Sequence, residues 1–207
     1  TQAPANDLGI SYRPSFRLRT LTDASSAKEN SLDVVLPLEK KWLNDNLTAQ
    51  LEFNGVYNRL RVDSALITQQ SNLLSLKPSI RYLKDNLEIK AGVYPTQAQK
   101  FHLLSDFSVW YNLISLRGQV GAMYRNTIRM NTFGELSAIN PFLKNTMVIR
   151  QSKETFMGLA AHGNLGDYTM YSLKAGRKSV ENMPFYFRDT TGDRKQFNLI
   201  YSPLVRL

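Results

Sequence analysis

The chain of 207 residues contains no cysteine and two histidines, His102 and His162. Without cysteine there can be no disulfide framework, no thiolate metal site and no thiol nucleophile. With two histidines and no thiol, a zinc centre is a poor fit, and no metal and no cofactor is expected. Glycine and proline number 11 and 8, too few for a collagen-like or linker-like chain. No stretch approaches the ~20 apolar residues of a membrane-crossing helix. That absence leaves strands untouched, because a barrel strand needs only ~9–11 residues with every second one apolar. Acidic residues are outnumbered, 17 against 26 lysines and arginines, for a formal charge of +9. Such a balance suits nucleic acid, anionic membrane surfaces or acidic ligands. The sequence opens at Thr1 with no leader pattern, and reads as a trimmed chain or part of a longer one.

What is present is alternation with period two, the mark of strands with two different faces. In Gly9–Thr20, Ile10, Tyr12, Pro14, Phe16 and Leu18 share one face, and Ser11, Arg13, Ser15, Arg17 and Arg19 the other. A helix would scatter those arginines around its circumference. Pro14 cannot donate to a ladder, which predicts an edge strand or a bulge. Leu47, Ala49, Leu51, Phe53 and Tyr57 alternate with Thr48, Gln50, Glu52 and Asn54. Residues 74–94 read as a hairpin around the turn Lys84-Asp85-Asn86. Phe107–Leu113 and Ile114–Arg125 continue the pattern. Thr155–His162 and Tyr168–Gly176 flank the turn-rich Gly163–Asp167, and Phe185–Arg188 and Gln196–Ser202 flank Asp189–Asp193, giving two more hairpins. Leu66–Leu74 and Gly134–Leu143 are the modest helical candidates. Asn126–Asn145 and Thr22–Asn30 read as loops. The sum is roughly ten or more strands in a single unit, 1–207, with short turns alternating with longer loops and no repeat or linker.

Two solvents explain such alternation. In a soluble sandwich the apolar faces pack a core. In a membrane barrel they meet lipid while the polar faces line a lumen. Tyrosines and phenylalanines near strand ends, and arginines on the opposite face, favour an all-β antiparallel transmembrane β-barrel, complete or partial. The basic residues Arg13, Arg17, Arg19, Lys77, Arg81, Lys90, Arg117, Arg125 and Lys174 would then face the lumen. Glu52 and Glu88 are their acidic partners there, or a bound anion takes that place. Either the lumen favours anionic solutes or an acidic plug, or the charges form an internal ladder that fills it.

The stretches "LKPSIRYLKDNLEIKAGVYPTQAQKFHLLSDFSVWYNL" (Leu76–Leu113), "YRNTIRMNTFGELSAINPFL" (Tyr124–Leu143) and "YSLKAGRKSVENMPFYFRDTTGDRKQFNLIYSP" (Tyr171–Pro203) resemble large outer-membrane β-barrels of Bacteroidota, often grouped with TonB-dependent receptors. The resemblance covers most of residues 76–203. It implies solute passage or uptake in the outer membrane of a Gram-negative bacterium, with membrane lipid as partner and further outer-membrane or periplasmic proteins as companions in a complex. The chain departs from that pattern in its length and in having no plug domain or TonB-box-like segment. It also ends at Leu207 rather than an aromatic residue.

Enzyme chemistry is not expected. His102, Ser105 and Asp106 are too closely spaced for a triad, and no nucleophile elbow accompanies them. Ser108, His102 and Asn112 form a phospholipase-like set on paper only. Asp106 and Glu135 sit in loop-like contexts, and no carboxylate pair suggests a glycosidase. "GNLG" at 163–166 is a turn and not a phosphate cradle. "DTTGD" at 189–193 lacks the other ligand positions of a calcium loop. An oligonucleotide-binding barrel would place aromatic and basic residues on one face. Here they segregate, which argues against nucleic acid. The remaining alternatives are an accessory or scaffolding barrel in an outer-membrane complex, and a soluble β-sandwich binding an anionic ligand.

Overall fold

A computed structural model describes residues 9–23, 27–43, 46–62, 66–113, 117–144, 148–165, 169–190 and 196–207. The chain runs β1 (Ile10–Tyr12), β2 (Ser15–Thr22), β3 (Ala27–Trp42), β4 (Leu47–Val62), β5 (Ile67–Lys84), β6 (Leu87–Gln97), β7 (Phe101–Leu113), β8 (Gly118–Arg129), α1 (Phe133–Ile139), β9 (Ser152–Leu165), β10 (Thr169–Glu181), β11 (Met183–Arg188), β12 (Phe197–Ser202) and β13 (Val205–Arg206). The antiparallel all-β expectation is met. Eleven strands form one sheet in the order β1-β3-β4-β5-β6-β7-β8-β9-β10-β13, with β2 also on β3, and β11-β12 form a separate hairpin.

The sheet is open. Its two outermost rows, β1/β2 and β10/β13, do not pair with each other among the described residues, so the complete-barrel form of the expectation does not hold for this sheet. β1 and β2 lie along the same edge of β3, opposite Leu38–Lys40 and Lys28–Val35. They are two halves of one row, broken at Arg13-Pro14, where the missing proline N–H ends the ladder. A second interruption has the same cause: pairing of β5 with β6 lapses at residues 76–78 and 93–95, around Pro78 and Pro95.

The sheet also curls. Four residue steps lead from Arg129, the last of β8, to Phe133, whose N–H donates to Glu29 on β3 over 2.8 Å. Four residues span at most ~14 Å. On a flat sheet the five steps from β3 to β8 would measure ~24 Å. The strands therefore bend around the face on which α1 sits, making that face the inside of a trough.

α1 is locally encoded. Thr132, extended at φ −113°, caps it by accepting from the Glu135 N–H, the Thr-x-x-Glu order of a capping box. It ends at Asn140, which must be extended before Pro141. Two connections between neighbouring strands of the sheet are long, 130–151 between β8 and β9 and 182–204 between β10 and β13, the second carrying β11 and β12. The others are short, so the expected regular alternation of short turns and longer loops is not what the structure has. Leu66–Leu74, a helix candidate, is the start of β5, and Lys28–Asn30, taken as loop, belongs to β3. Of the expected turn Gly163–Asp167, the first three residues belong to β9 and the rest lie outside the described residues, as do Thr191–Asp193 of the expected turn Asp189–Asp193 and Ile114–Leu116 of the expected β8.

A small dry core sits at one end of the trough. Ala27, Leu60 and Val62 point inward there and pack with Phe133, Leu136, Leu143 and Ile149, with Tyr186 and Leu199 of the β11-β12 hairpin against them. The hairpin packs on this core without pairing with the main sheet: the Tyr186 hydroxyl donates to the Leu136 carbonyl at 2.9 Å, and Phe197 exchanges backbone hydrogen bonds with Phe142 and Lys144 just after α1.

Candidate functional site

The outer, convex face carries an apolar band on every long strand. Taking alternate residues, it runs through Leu32–Leu38 on β3, Leu47–Tyr57 on β4, Leu74–Tyr82 on β5 and Tyr171–Ala175 on β10. Many of its members are open to the surroundings, among them Phe53, Leu76, Ile80, Phe107, Leu159 and Leu173. No second sheet covers it among the described residues, as a sandwich would require.

The band crosses the strands obliquely. One rung of the ladder can be followed across eight strands: Trp42, Leu47, Tyr82, Ile89, Val109, Ala122, Leu159, Ala175. On β3 the middle of the apolar run lies about seven residues to one side of this rung, and on β10 about two residues to the other, a slide of about nine residues over seven strand steps. At ~3.4 Å per residue and ~4.8 Å per strand this is a drift of ~31 Å over ~34 Å. Strands at that slope stand about 40° from the normal of the band, inside the 35–45° tilt of membrane barrels. Along β5, Leu74–Tyr82 spans eight residue rises, ~27 Å along a tilted strand. The outer face turns polar at one border of the band, with Arg59 and Arg61 on β4, Asn72 on β5, Asn126 on β8 and Arg177 on β10, while Tyr57 and Tyr124 sit just inside it. Trp42, Tyr82, Tyr111 and Tyr171 stand towards the other border. These are the positions of interfacial aromatic girdles.

The inner face holds a strand-to-strand ladder of ion pairs. Lys77 on β5 meets Glu52 on β4 at 2.7 Å, and Arg81 meets Glu88 on β6 at 3.3 Å. Asp106 on β7, its side chain 8% exposed, takes Lys90 from β6 at 3.6 Å and Arg125 from β8 at 3.3 Å. It also accepts the Tyr94 hydroxyl at 3.2 Å. Gly92 makes this reach possible: the Tyr94 ring folds back over it, 2.6 Å from where a Cβ would stand. Beside the ladder, Ser75 and Thr96 share a buried hydrogen bond of 2.9 Å. All of these groups except the Arg81–Glu88 pair and Gly92 line a cavity of about 430 Å³ together with Glu39, which accepts from Gln50 at 2.9 Å. Three cations (Lys77, Lys90, Arg125) and three carboxylates (Glu39, Glu52, Asp106) surround it, so the net +9 of the chain is not concentrated there. Chemically the cavity offers balanced hydrogen-bonding groups to a polar solute.

The remaining sequence-selected residues are spread out. Arg19 pairs with Asp33 at 2.8 Å on the edge row, and Arg17 lines a second cavity of about 350 Å³ between β2–β4 and the start of α1. Lys174 lies over the Phe156 ring at 5.7 Å. Two assignments are corrected. Arg13 falls in the break between β1 and β2, and Arg117 lies in the turn before β8 with a φ of 43°, so neither stands on a strand face. His102 and Asp106 are four residues apart on the inner side of β7, and Ser105 points outward. His102 and Ser108 are separated by ~20 Å of strand. Neither hydrolase set assembles. His162 packs edge-on against Trp110 at 5.1 Å. Among the described residues no cluster of metal-ligating side chains occurs.

Sequence reasoning missed Asp106 as the hub and Glu29 altogether. In Phe101–Asp106 both faces mix apolar and polar residues, so the period-two signal fades, although stepping back from Phe107 would have placed Asp106 inward. Glu29 carried no local signal. Its carboxylate is buried and accepts from the Phe133 and Gly134 N–H groups at 2.8 and 2.7 Å and from Asn58 Nδ2 at 3.0 Å. Its partners on α1 lie over a hundred residues away.

No protein-family description, curated protein or solved structure matches this chain.

Proposed function

We propose that the sheet forms part of the wall of a transmembrane β-barrel in a bacterial outer membrane, with the apolar band against lipid and the inner face lining a route for polar solutes. The single observation that carries the reading is the slope of the band. An apolar stripe level in one plane, across strands tilted by about 40°, is what a bilayer selects, since every strand must turn apolar at the same depth. The aromatic residues near its borders support it, as does the resemblance of residues 76–203 to Bacteroidota barrels. Balanced charge around the main cavity favours solutes that are polar or zwitterionic over simple anions.

One observation favours a second role, an accessory or scaffolding barrel segment: α1 and the β11-β12 hairpin occupy one end of the trough, and the ion pairs tie neighbouring strands together.

Refolding into phospholipid vesicles tests the membrane reading. Leu76→Arg, in the band, is expected to destabilise the vesicle-bound protein by about 2–4 kcal/mol. Arg61→Leu, beyond the polar border, is expected to change it by less than about 1 kcal/mol. A chain that stays monodisperse in water without detergent and ignores vesicles overturns the reading. Planar-bilayer conductance then separates a solute route from a filled scaffold.

A further inference from the structure

We infer that the outer face of β3 and β4, at the end of the trough that holds α1, binds the phosphate headgroup of an anionic lipid through Lys28, Arg59 and Arg61. The inference rests on the membrane reading above and names the kind of lipid that meets this part of the surface. It starts from where the positive charge goes. On the inner face Lys77, Arg81, Lys90 and Arg125 stand against carboxylates. Part of the basic excess stands outside instead.

The register gathers it. Lys28 and Arg61 are directly opposite each other, with Thr22 and Thr68 completing that rung on β2 and β5. On the next rung of the same face Arg59 stands between Asn30 and Gln70. All seven residues are exposed; three are cationic and none is acidic. At the same border on β9 and β10, by contrast, Lys153 is paired with Glu181 at 2.8 Å. Directly opposite positions put Cβ atoms ~4.5–5.5 Å apart, where like charges repel and a shared anion turns repulsion into attraction. Lys28 and Arg61 also engage other groups of the protein. A phosphate needs only some of the donors that an ammonium and a guanidinium carry.

Depth selects the headgroup. Arg59 and Arg61 lie two and four residues beyond Tyr57, the last band residue of β4, and Asn30 and Lys28 two and four beyond Leu32, where the band ends on β3. At ~3.4 Å per residue and a tilt of ~40°, those steps are ~5 and ~10 Å along the membrane normal. A headgroup layer is ~5–8 Å deep, within reach of long basic side chains at both depths. Directly below the cations lie Leu18, Leu32 and Tyr57, 70%, 39% and 40% exposed. A ligand with an anionic group joined to an apolar body uses both surfaces. A nucleic acid or a free phosphate would use the cations alone.

The test offers the full chain, delivered from detergent, an equal choice of phosphatidylcholine vesicles and mixed phosphatidylcholine–phosphatidylglycerol vesicles, and reads its distribution between them. The mixed vesicles are expected to take at least about tenfold more, since each basic residue at an anionic surface favours binding by roughly fivefold. The triple variant Lys28→Gln, Arg59→Gln, Arg61→Gln is expected to lose most of that preference while still inserting into phosphatidylcholine. The triple variant Lys41→Gln, Lys84→Gln, Lys174→Gln removes the same charge elsewhere and is expected to keep it. Should the first variant insert into neither vesicle, Arg59→Gln alone decides, with an expected loss of preference of at least about twofold. The inference is overturned if the unaltered chain shows no preference, if both triple variants lose it alike, if Arg59→Gln leaves it whole, or if free glycerol phosphate or a short single-stranded DNA erases it at matched ionic strength. Failure of the unaltered chain to insert into either vesicle overturns the membrane reading and this inference with it. Insertion without preference overturns this inference alone.

Discussion

The two halves of β4 follow the same alternation with opposite results. In its first half Thr48, Gln50, Glu52 and Asn54 point into the trough and Leu47, Leu51 and Phe53 point out. In its second half Leu60 and Val62 are buried inside, 2% and 0% exposed, while Arg59 and Arg61 face outward. The second half is built like a water-soluble domain, and the first is turned inside out. The switch falls at Tyr57–Arg59, where the apolar band ends on this strand. A period of two says only that a strand has two faces. Which face is packed depends on what lies against each: α1 and the β11-β12 hairpin at one end and, among the described residues, nothing outside the band at the other.

The sharpest way to break this contrast is at Glu29, which holds α1 to the sheet. Glu29→Ala leaves the Phe133 and Gly134 N–H groups and Asn58 without their acceptor, and each unmet buried donor costs ~1–3 kcal/mol. A loss of about 3–5 kcal/mol is expected, read as a lower urea midpoint in detergent with detachment of the Phe133–Leu136 core. The paired substitutions Leu60→Ala and Leu51→Ala come next. Leu60→Ala opens a cavity in the dry core and is expected to cost about 2–4 kcal/mol. Leu51→Ala, at the exposed band, is expected to cost less than about 1 kcal/mol in detergent. Equal losses would mean the two halves are packed alike.

The smallest effect concerns the hairpin that closes the soluble-like half. Burial raises the phenols of Tyr186 and Tyr201 above their ordinary value of 10.0; at Tyr201 the Arg150 amide and side chain pull partly the other way. The Tyr201 hydroxyl accepts that amide N–H at 2.8 Å. A raised folded pKa means the native state keeps the proton that the unfolded state gives up. The stabilisation is full below pH 10 and is lost as the pH climbs through the folded values. Alkaline unfolding followed by absorbance is therefore expected to release the hairpin before the main sheet, and the Tyr186→Phe, Tyr201→Phe double variant is expected to weaken that pH dependence.

Most of the strands were readable because their side chains alternate cleanly. Gly9–Thr20, residues 74–94 and the hairpin of β11 and β12 were placed from patterning alone, and Pro14 announced the broken edge. Gly134–Leu143 reads as a modest helical candidate; α1 is found at Phe133–Ile139, with its cap at Thr132 and its stop before Pro141 recognised only in the structure. The sequence pattern places no strand at β3, and its start reads as a loop, since Lys28-Glu29-Asn30 is polar throughout. It is a strand because Glu29 finds two amide donors on α1 and Ser31 is buried in the trough. The pairings Lys77–Glu52 and Arg81–Glu88 joined residues already singled out, but Asp106 entered only once β6, β7 and β8 were set in register.

The sequence by itself determined that this is an antiparallel β protein with one greasy and one charged face on its strands, because a two-residue period is a property of the extended chain. Only the tertiary structure decided that the sheet curls but stays open, that its faces exchange roles along β4, and that the apolar band crosses the strands at about 40°. Those depend on register and on contacts between residues far apart in the chain, such as Glu29 with Phe133, and no local pattern of side chains encodes them.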